Sequence, residues 1–403
     1  MPVHPTPGHF LMDNKRTLVT SLLTLAAIGL LVATFYSPIW WVSLTAPNYP
    51  PEAFPDGVRI HFHMNGVFNG CKKVESAEIT EDIALDCVHE MDTINHYVGM
   101  YPIAAGGPIE IAFAPFLFFL LGVMLLGFMI RQPKLRMAIM SVGFAGIAVW
   151  MYMTWYGADG LKYQSTGYIH ALVTAMDQDT DRDSGATQLN SGQALIERLK
   201  EELGEYYVPP EGSEETEATT VADDAKSANI NHLRGTFEID MERMPAADRQ
   251  QWDGSGRQML TWHYQINLGR YFNNPEEIKP LANAISIAAA VMFWGILAAM
   301  MVLVYGARKN SGLFYWLLIL VPIALPVFFL LDYAAWLFWY GHNLNAMGAF
   351  SVKPFMPTVF GQGKVAQFLT HSYPAIGYGL MMMASVLLGL AALIRRKQQQ
   401  EEG

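Results

Sequence analysis

The chain has 403 residues, 52% of them hydrophobic and 15% charged, with a formal net charge of −10. It is too apolar for an ordinary soluble protein and too charged to be only a bundle of membrane helices. The acidic balance excludes nucleic acid as a natural partner, because a phosphate backbone calls for a basic surface.

In chain order, a short tail (1–16) ends in "DNKR" and is followed by a first apolar run at 17–38. "TLVTSLLTLAAIGLLVATFYSPIWWV" is too long for a signal peptide and has no small-residue cleavage site, so it reads as an uncleaved span. Residues 39–108 form a first outer segment. Further runs near the roughly 20 residues needed to cross a bilayer lie at 109–130, 137–156, 281–306, 313–340 and 375–394. Between them lie a long outer segment (157–280) and a shorter one (341–374), and 395–403 closes the chain. The expected fold class is an α-helical membrane protein of six transmembrane helices with extracytoplasmic α+β segments.

Lys and Arg orient this scheme. Ten of the 26 lie in the 37 residues of the two tails and the short loops 131–136 and 307–312; sixteen are spread over the 228 residues of the long segments. The short-loop side is therefore cytoplasmic, with both termini, and the long segments face the periplasm across a bacterial inner membrane. Trp40, Trp41, Trp155, Tyr156, Trp336, Trp339 and Tyr340 then form an aromatic belt at the outer interface. Thirty-one of 36 acidic residues lie outside as well, a surface suited to cations or a basic protein.

In the first outer segment "GVRIHFHM" alternates, placing Val58, Ile60, Phe62 and Met64 on one strand face and His61 and His63 on the other. "VHEMDTINHYVGM" reads as a helical turn carrying His89, Asp92, His96 and Met100 on one stripe. Within 157–280, "SGQALIERLKEELGEYY" has helical periodicity, the acidic stretch 209–227 reads as a disordered linker, and "GTFEIDMERM" reads as a strand. "DQDTDRDSG" (177–185) fails the calcium-loop test, since Ser184 and Asn190 occupy the positions that need glycine and an acid. The segment 341–374 has the composition of a loop that packs on the membrane surface or on the first outer segment.

Nine of eleven histidines are outside and none lies within a span. That argues against an intramembrane haem, and no C-x-x-C-H exists to attach one covalently. Copper suits the residues better: it accepts thioether and imidazole, and His61, His63, Met64, His89, His96 and Met100 supply both within forty residues. The same residues also read as ordinary core and surface. Cys71 and Cys87, the only cysteines, fit a disulfide closing a loop of about 16 residues. Asp332, in the fifth span, is a candidate intramembrane carboxylate. No hydrolase, nucleotide-binding or metalloprotease motif is present, so the residues offer no recognisable catalytic constellation and leave enzymatic activity open, with a non-catalytic role favoured.

"LTAPNYPPEAFPDGVRIHF", "INHYVGM" and "WYGHNLNAMGAFSVKPFMPTVFGQGKVAQFLTHSYP" resemble blocks of poorly characterised polytopic bacterial membrane proteins encoded near nitrous oxide reductase and its copper-delivery genes. The Asn-His-Tyr-x-Gly-Met element maps onto Asn95, His96, Tyr97, Gly99 and Met100. The resemblance implies copper or electron supply to a periplasmic cuproenzyme, as a metallochaperone or respiratory accessory protein. Two other readings fit the sequence: a non-catalytic or quinol-binding subunit of a respiratory oxidoreductase complex, with other membrane subunits as partners, and a metal transporter.

Overall fold

The computed structural model describes residues 7–47, 49, 54–64, 66–71, 108–169, 172–173, 214–246, 249–265, 278–310, 312–342, 358–365 and 368–402. The chain divides into two compact units, Met1–Val149 with Leu268–Gly403, and Trp150–Asn267.

The first unit is built on long apolar helices: α1 (Pro7–Phe35), α2 (Pro108–Met129), α3 (Pro133–Trp155), α6 (Ile278–Gly306), α7 (Leu313–Ile323), α8 (Leu325–His342) and α9 (Ile376–Glu402). Five of them are long and apolar enough to cross a membrane, and the pair α7–α8 passes as a sixth, bent span. Large apolar side chains lie exposed along these helices, Val142 at 75%, Met301 at 69% and Leu331 at 66%. This inverts the pattern of a soluble surface and suits contact with lipid.

The expected single span at 313–340 is not straight. α7 and α8 meet at a 62° bend around Ala324. Pro322 closes α7 and Pro326 stands at the start of α8; each removes an amide donor and crowds the preceding turn, so the helix breaks between them.

α1 runs along α9, while α7 touches α2, α6 and α9. The four short basic segments meet at one end of this bundle. Arg16 pairs with Glu401, and Gln398 donates to the Thr17 hydroxyl at 3.1 Å. Arg136, fully buried, donates to the Ala307 carbonyl through Nε at 2.9 Å and Nη2 at 2.6 Å. It also reaches the Ile130 and Lys309 carbonyls and Asn310 Oδ1. Arg395 donates to the Met129 carbonyl at 3.1 Å. These guanidinium forks satisfy carbonyls that helix C-termini leave without partners.

At the other end of α1, Pro38 stops the helix and the chain enters β1 (Trp40–Thr45). With β2 (Val58–His63), β3 (Gly66–Asn69), β4 (Gly361–Val365) and β5 (Phe368–Pro374) it forms an antiparallel sheet of order β3-β2-β1-β5-β4. The end of the segment 341–374 therefore pairs with the start of the segment 39–108. Between β1 and β2, Gly57 has φ +67°, and a Cβ there would lie 2.6 Å from the Leu44 carbonyl oxygen, so the turn requires glycine.

One sheet face (Trp40, Val42, Leu44, Val58, Ile60 and Phe62) is buried. Trp40 packs against Phe329 and Tyr333 of α8 and Tyr378 of α9, with ring centroids 6.2, 5.8 and 5.5 Å away. Its indole donates to Ser372 Oγ at 2.8 Å, and Ser372 donates to the Val359 carbonyl at 2.8 Å.

The second unit holds the end of α3, a 3₁₀ turn (Gly160–Tyr163), α4 (Glu214–Arg243) and α5 (Gly256–His263). Two expectations are corrected here. The acidic stretch expected to be a linker is helical from Glu214 on, and "GTFEIDMERM" is the last part of the same helix. Leu233, Phe237 and Met241 are buried four residues apart, so the 3.6-residue period wins over the short alternation that suggested a strand. Glu and Ala are good helix formers, and glutamates at the first turn oppose the helix dipole favourably. Ser255 and Gln258 form a reciprocal cap on α5: the Ser255 hydroxyl accepts from the Gln258 amide at 3.1 Å, and Gln258 Oε1 accepts from the amides of Asp253 and Gly254.

Candidate functional site: the outward face of the sheet

β2 alternates as its sequence does, with Arg59, His61 and His63 half-buried on the face opposite Val58, Ile60 and Phe62. Met64 lies in the turn after the strand rather than on the Val58 face, because pairing ends at His63↔Gly66. Register extends this polar face across the sheet. Trp41 stands opposite His61 on one side and Tyr373 on the other, and Ser43 opposite Arg59 and His371. The face thus carries three histidines, His61, His63 and His371, from distant parts of the chain.

The surroundings of the β2 pair are defined. The Arg59 guanidinium sits 4.5 Å above the Trp41 ring and pairs with Asp56 at 3.5 Å. Trp41 packs against Tyr373 at 5.4 Å. A Cβ on Gly70 would lie 2.8 Å from His61 Cδ2, so glycine lets the chain after β3 pass close against that imidazole. Burial first, and the Arg59 charge second, hold the His61 pKa below its ordinary value. For His63 the causes are burial and then His61 itself. Both rings are therefore neutral at pH 7, the form that ligates metals.

Among the described residues no group of three or more His, Cys, Asp and Glu side chains converges to hold a metal ion. His89, His96, Met100 and Cys87 lie outside the described residues, as do "SGQALIERLKEELGEYY" and the loop 177–185. Cys71 is disulfide-bonded, which withdraws its sulfur from metal ligation; it accepts a hydrogen bond from the Arg59 amide at 3.5 Å.

Asp332 is half-buried on α8, and no salt bridge reaches it among the described residues. The neighbouring Tyr333 hydroxyl lies 3.5 Å from Ser372 Oγ. Sequence reasoning missed His371 as a companion of His61 and His63. "FLTHSYP" does alternate, which could have marked a strand, but nothing local shows which strand it joins.

No family model matches the chain, and neither a curated protein nor a solved structure matches it.

Proposed function

We propose that this chain is a six-pass bacterial inner-membrane protein, with both termini cytoplasmic, that holds copper at the periplasmic face of its sheet. In this reading it supports maturation of, or copper delivery to, a periplasmic cuproenzyme such as nitrous oxide reductase. The observation that carries the proposal is the pair of half-buried, neutral imidazoles, His61 and His63, on one strand face. Two imidazoles hold copper only weakly; His89, His96 and Met100 are the natural completing ligands, giving a mixed imidazole–thioether set that accepts Cu(I). A site assembled from a strand and a separate segment can open, and exchange between open, soft-ligand sites moves an ion without catalysis. The adjacent Arg59 charge opposes a bare cation, and Asp56 offsets it.

The test is copper content after loading and desalting. Wild type is expected to retain copper in stoichiometric amount. His61→Ala/His63→Ala and His96→Ala/Met100→Ala should each lose it. No copper on the wild-type chain would sink the proposal.

One observation favours a second reading, a quinol-binding or scaffolding subunit of a respiratory complex. Phe329 and Tyr333 stack within 8° of parallel beside Trp40 at the sheet end of the bundle. Stable co-purification with haem or iron–sulfur subunits, without copper, would place this reading first.

A further inference from the structure

Between α3 and α6 the helices leave an elongated groove of about 570 Å³, within the range of small-molecule sites. Its α3 wall is Ser141, Phe144, Ala145 and Ala148, spaced i, i+3, i+4, i+7, and the small residues give it depth. The α6 wall runs from Trp294 through Leu297 and Met301 to Tyr305 and Arg308. Twelve helical steps lead from Trp294 to the end of α6 at Gly306, and Arg308 follows in the turn, so the helical wall is about 18 Å long, more than the roughly 15 Å of hydrocarbon in one leaflet. Every lining residue between its ends is apolar, small or aromatic.

The charge at the groove's end decides the occupant. At the short-loop end, the Arg136 and Arg395 guanidiniums are buried and turned to helix-end carbonyls, out of reach of a ligand. Arg308 differs. It is exposed, it lies over the Tyr305 ring with 4.5 Å between guanidinium and centroid, and among the described residues no carboxylate pairs with it. Lys309 adds a second exposed cation beside it. A groove for a hydrocarbon chain, ending at an unpaired fork of donors level with the basic loops, is complementary to an anionic amphiphile. A neutral quinone would fill the groove and leave the charge unused.

We propose that this groove is a binding site for an anionic phospholipid, with one acyl chain between α3 and α6 and the phosphate on Arg308. Tyr305 holds the guanidinium flat at the groove mouth by cation–π contact, and Trp294 closes the far end. The inference rests on the membrane placement in the proposed function but not on copper.

The test uses the full chain purified in detergent and equilibrated with equal amounts of phosphatidylglycerol and phosphatidylcholine, with retained lipid counted by mass spectrometry. Wild type should retain phosphatidylglycerol with roughly fivefold preference, the worth of one basic side chain beside a net-anionic rather than a zwitterionic headgroup. Arg308→Gln should abolish the preference, Arg308→Lys should keep most of it, and Ala148→Phe, which fills the groove, should lose the retained lipid while helix content is unchanged. Equal retention of the two lipids by wild type would overturn the proposal, as would an Arg308→Gln chain with the preference intact. Retention of quinone in place of phospholipid would also overturn it. A chain that stays monodisperse without detergent would overturn the membrane reading itself, whatever its copper content.

Discussion

The two ends of the helical bundle use nitrogen-rich side chains in opposite ways. At the short-loop end Arg136 and Arg395 are buried and donate to the carbonyls of Met129, Ile130, Ala307 and Lys309, with Arg395 Nε left over. At the sheet end His61, His63 and His371 stand half-exposed, and the buried work is done by Trp40 and the rings around it. The basic side chains of the short segments thus serve as structural capping, while the imidazoles stand on the sheet face turned away from the buried rings.

Mutation separates the two ends. Arg136→Ala would leave the Ala307 and Ile130 carbonyls buried without donors. It should cost roughly 4 kcal/mol in chemical unfolding in micelles. Arg136→Lys should recover only part, because an ammonium cannot bridge several carbonyls in one plane. An unchanged midpoint in the alanine variant would show that water or loop movement replaces the fork.

His263 in the second unit sharpens the contrast between a buried and a half-exposed imidazole. Burial lowers its pKa to about 4, against about 6.5 in an unfolded chain. The unfolded state therefore binds the extra proton first, and stability is lost as pH falls from about 6.5 towards 4. The loss should reach about 3 kcal/mol and saturate below pH 4. Hydrogen exchange of α4 and α5 amides across that range would read it, and His263→Phe should flatten the profile.

At the sheet end, Ser372→Ala strands the Trp40 indole donor and the Val359 carbonyl. A loss of about 2 kcal/mol is expected. The same substitution in a Trp40→Phe background should cost less, since one stranded group is already gone. Additive costs would mean that the hydrogen bond does not couple the two residues.

The smallest effect belongs to the polar face: His61→Ala/His63→Ala should change stability by less than about 0.5 kcal/mol. The same variant is the one expected to lose copper. A large loss of stability would make the pair part of the packing and weaken its claim as a ligand site.

Much of this was legible in residue order. Runs of about twenty apolar residues mark the helices, with the length and composition that crossing a bilayer requires, and β2 shows itself because alternation of Val58, Ile60 and Phe62 with Arg59, His61 and His63 has one structural meaning. Local signals misled where two periods compete: over "GTFEIDMERM" a short alternation masked the four-residue spacing of Leu233, Phe237 and Met241. The stretch 313–340 has the length of one span, yet Pro322 and Pro326 act on a single turn and break it.

By itself the sequence determined where apolar helices form, which loops are basic and which strand face bears His61 and His63, since each depends on spacing within one segment. Only the tertiary structure decided that β5 pairs with β1 across more than 300 residues of chain and brings His371 to the same face, that Arg136 and Arg395 are consumed by helix ends, and that Arg308 is not. Strand partners and buried hydrogen bonds are chosen by which surfaces meet when the chain collapses, and no local pattern carries that information.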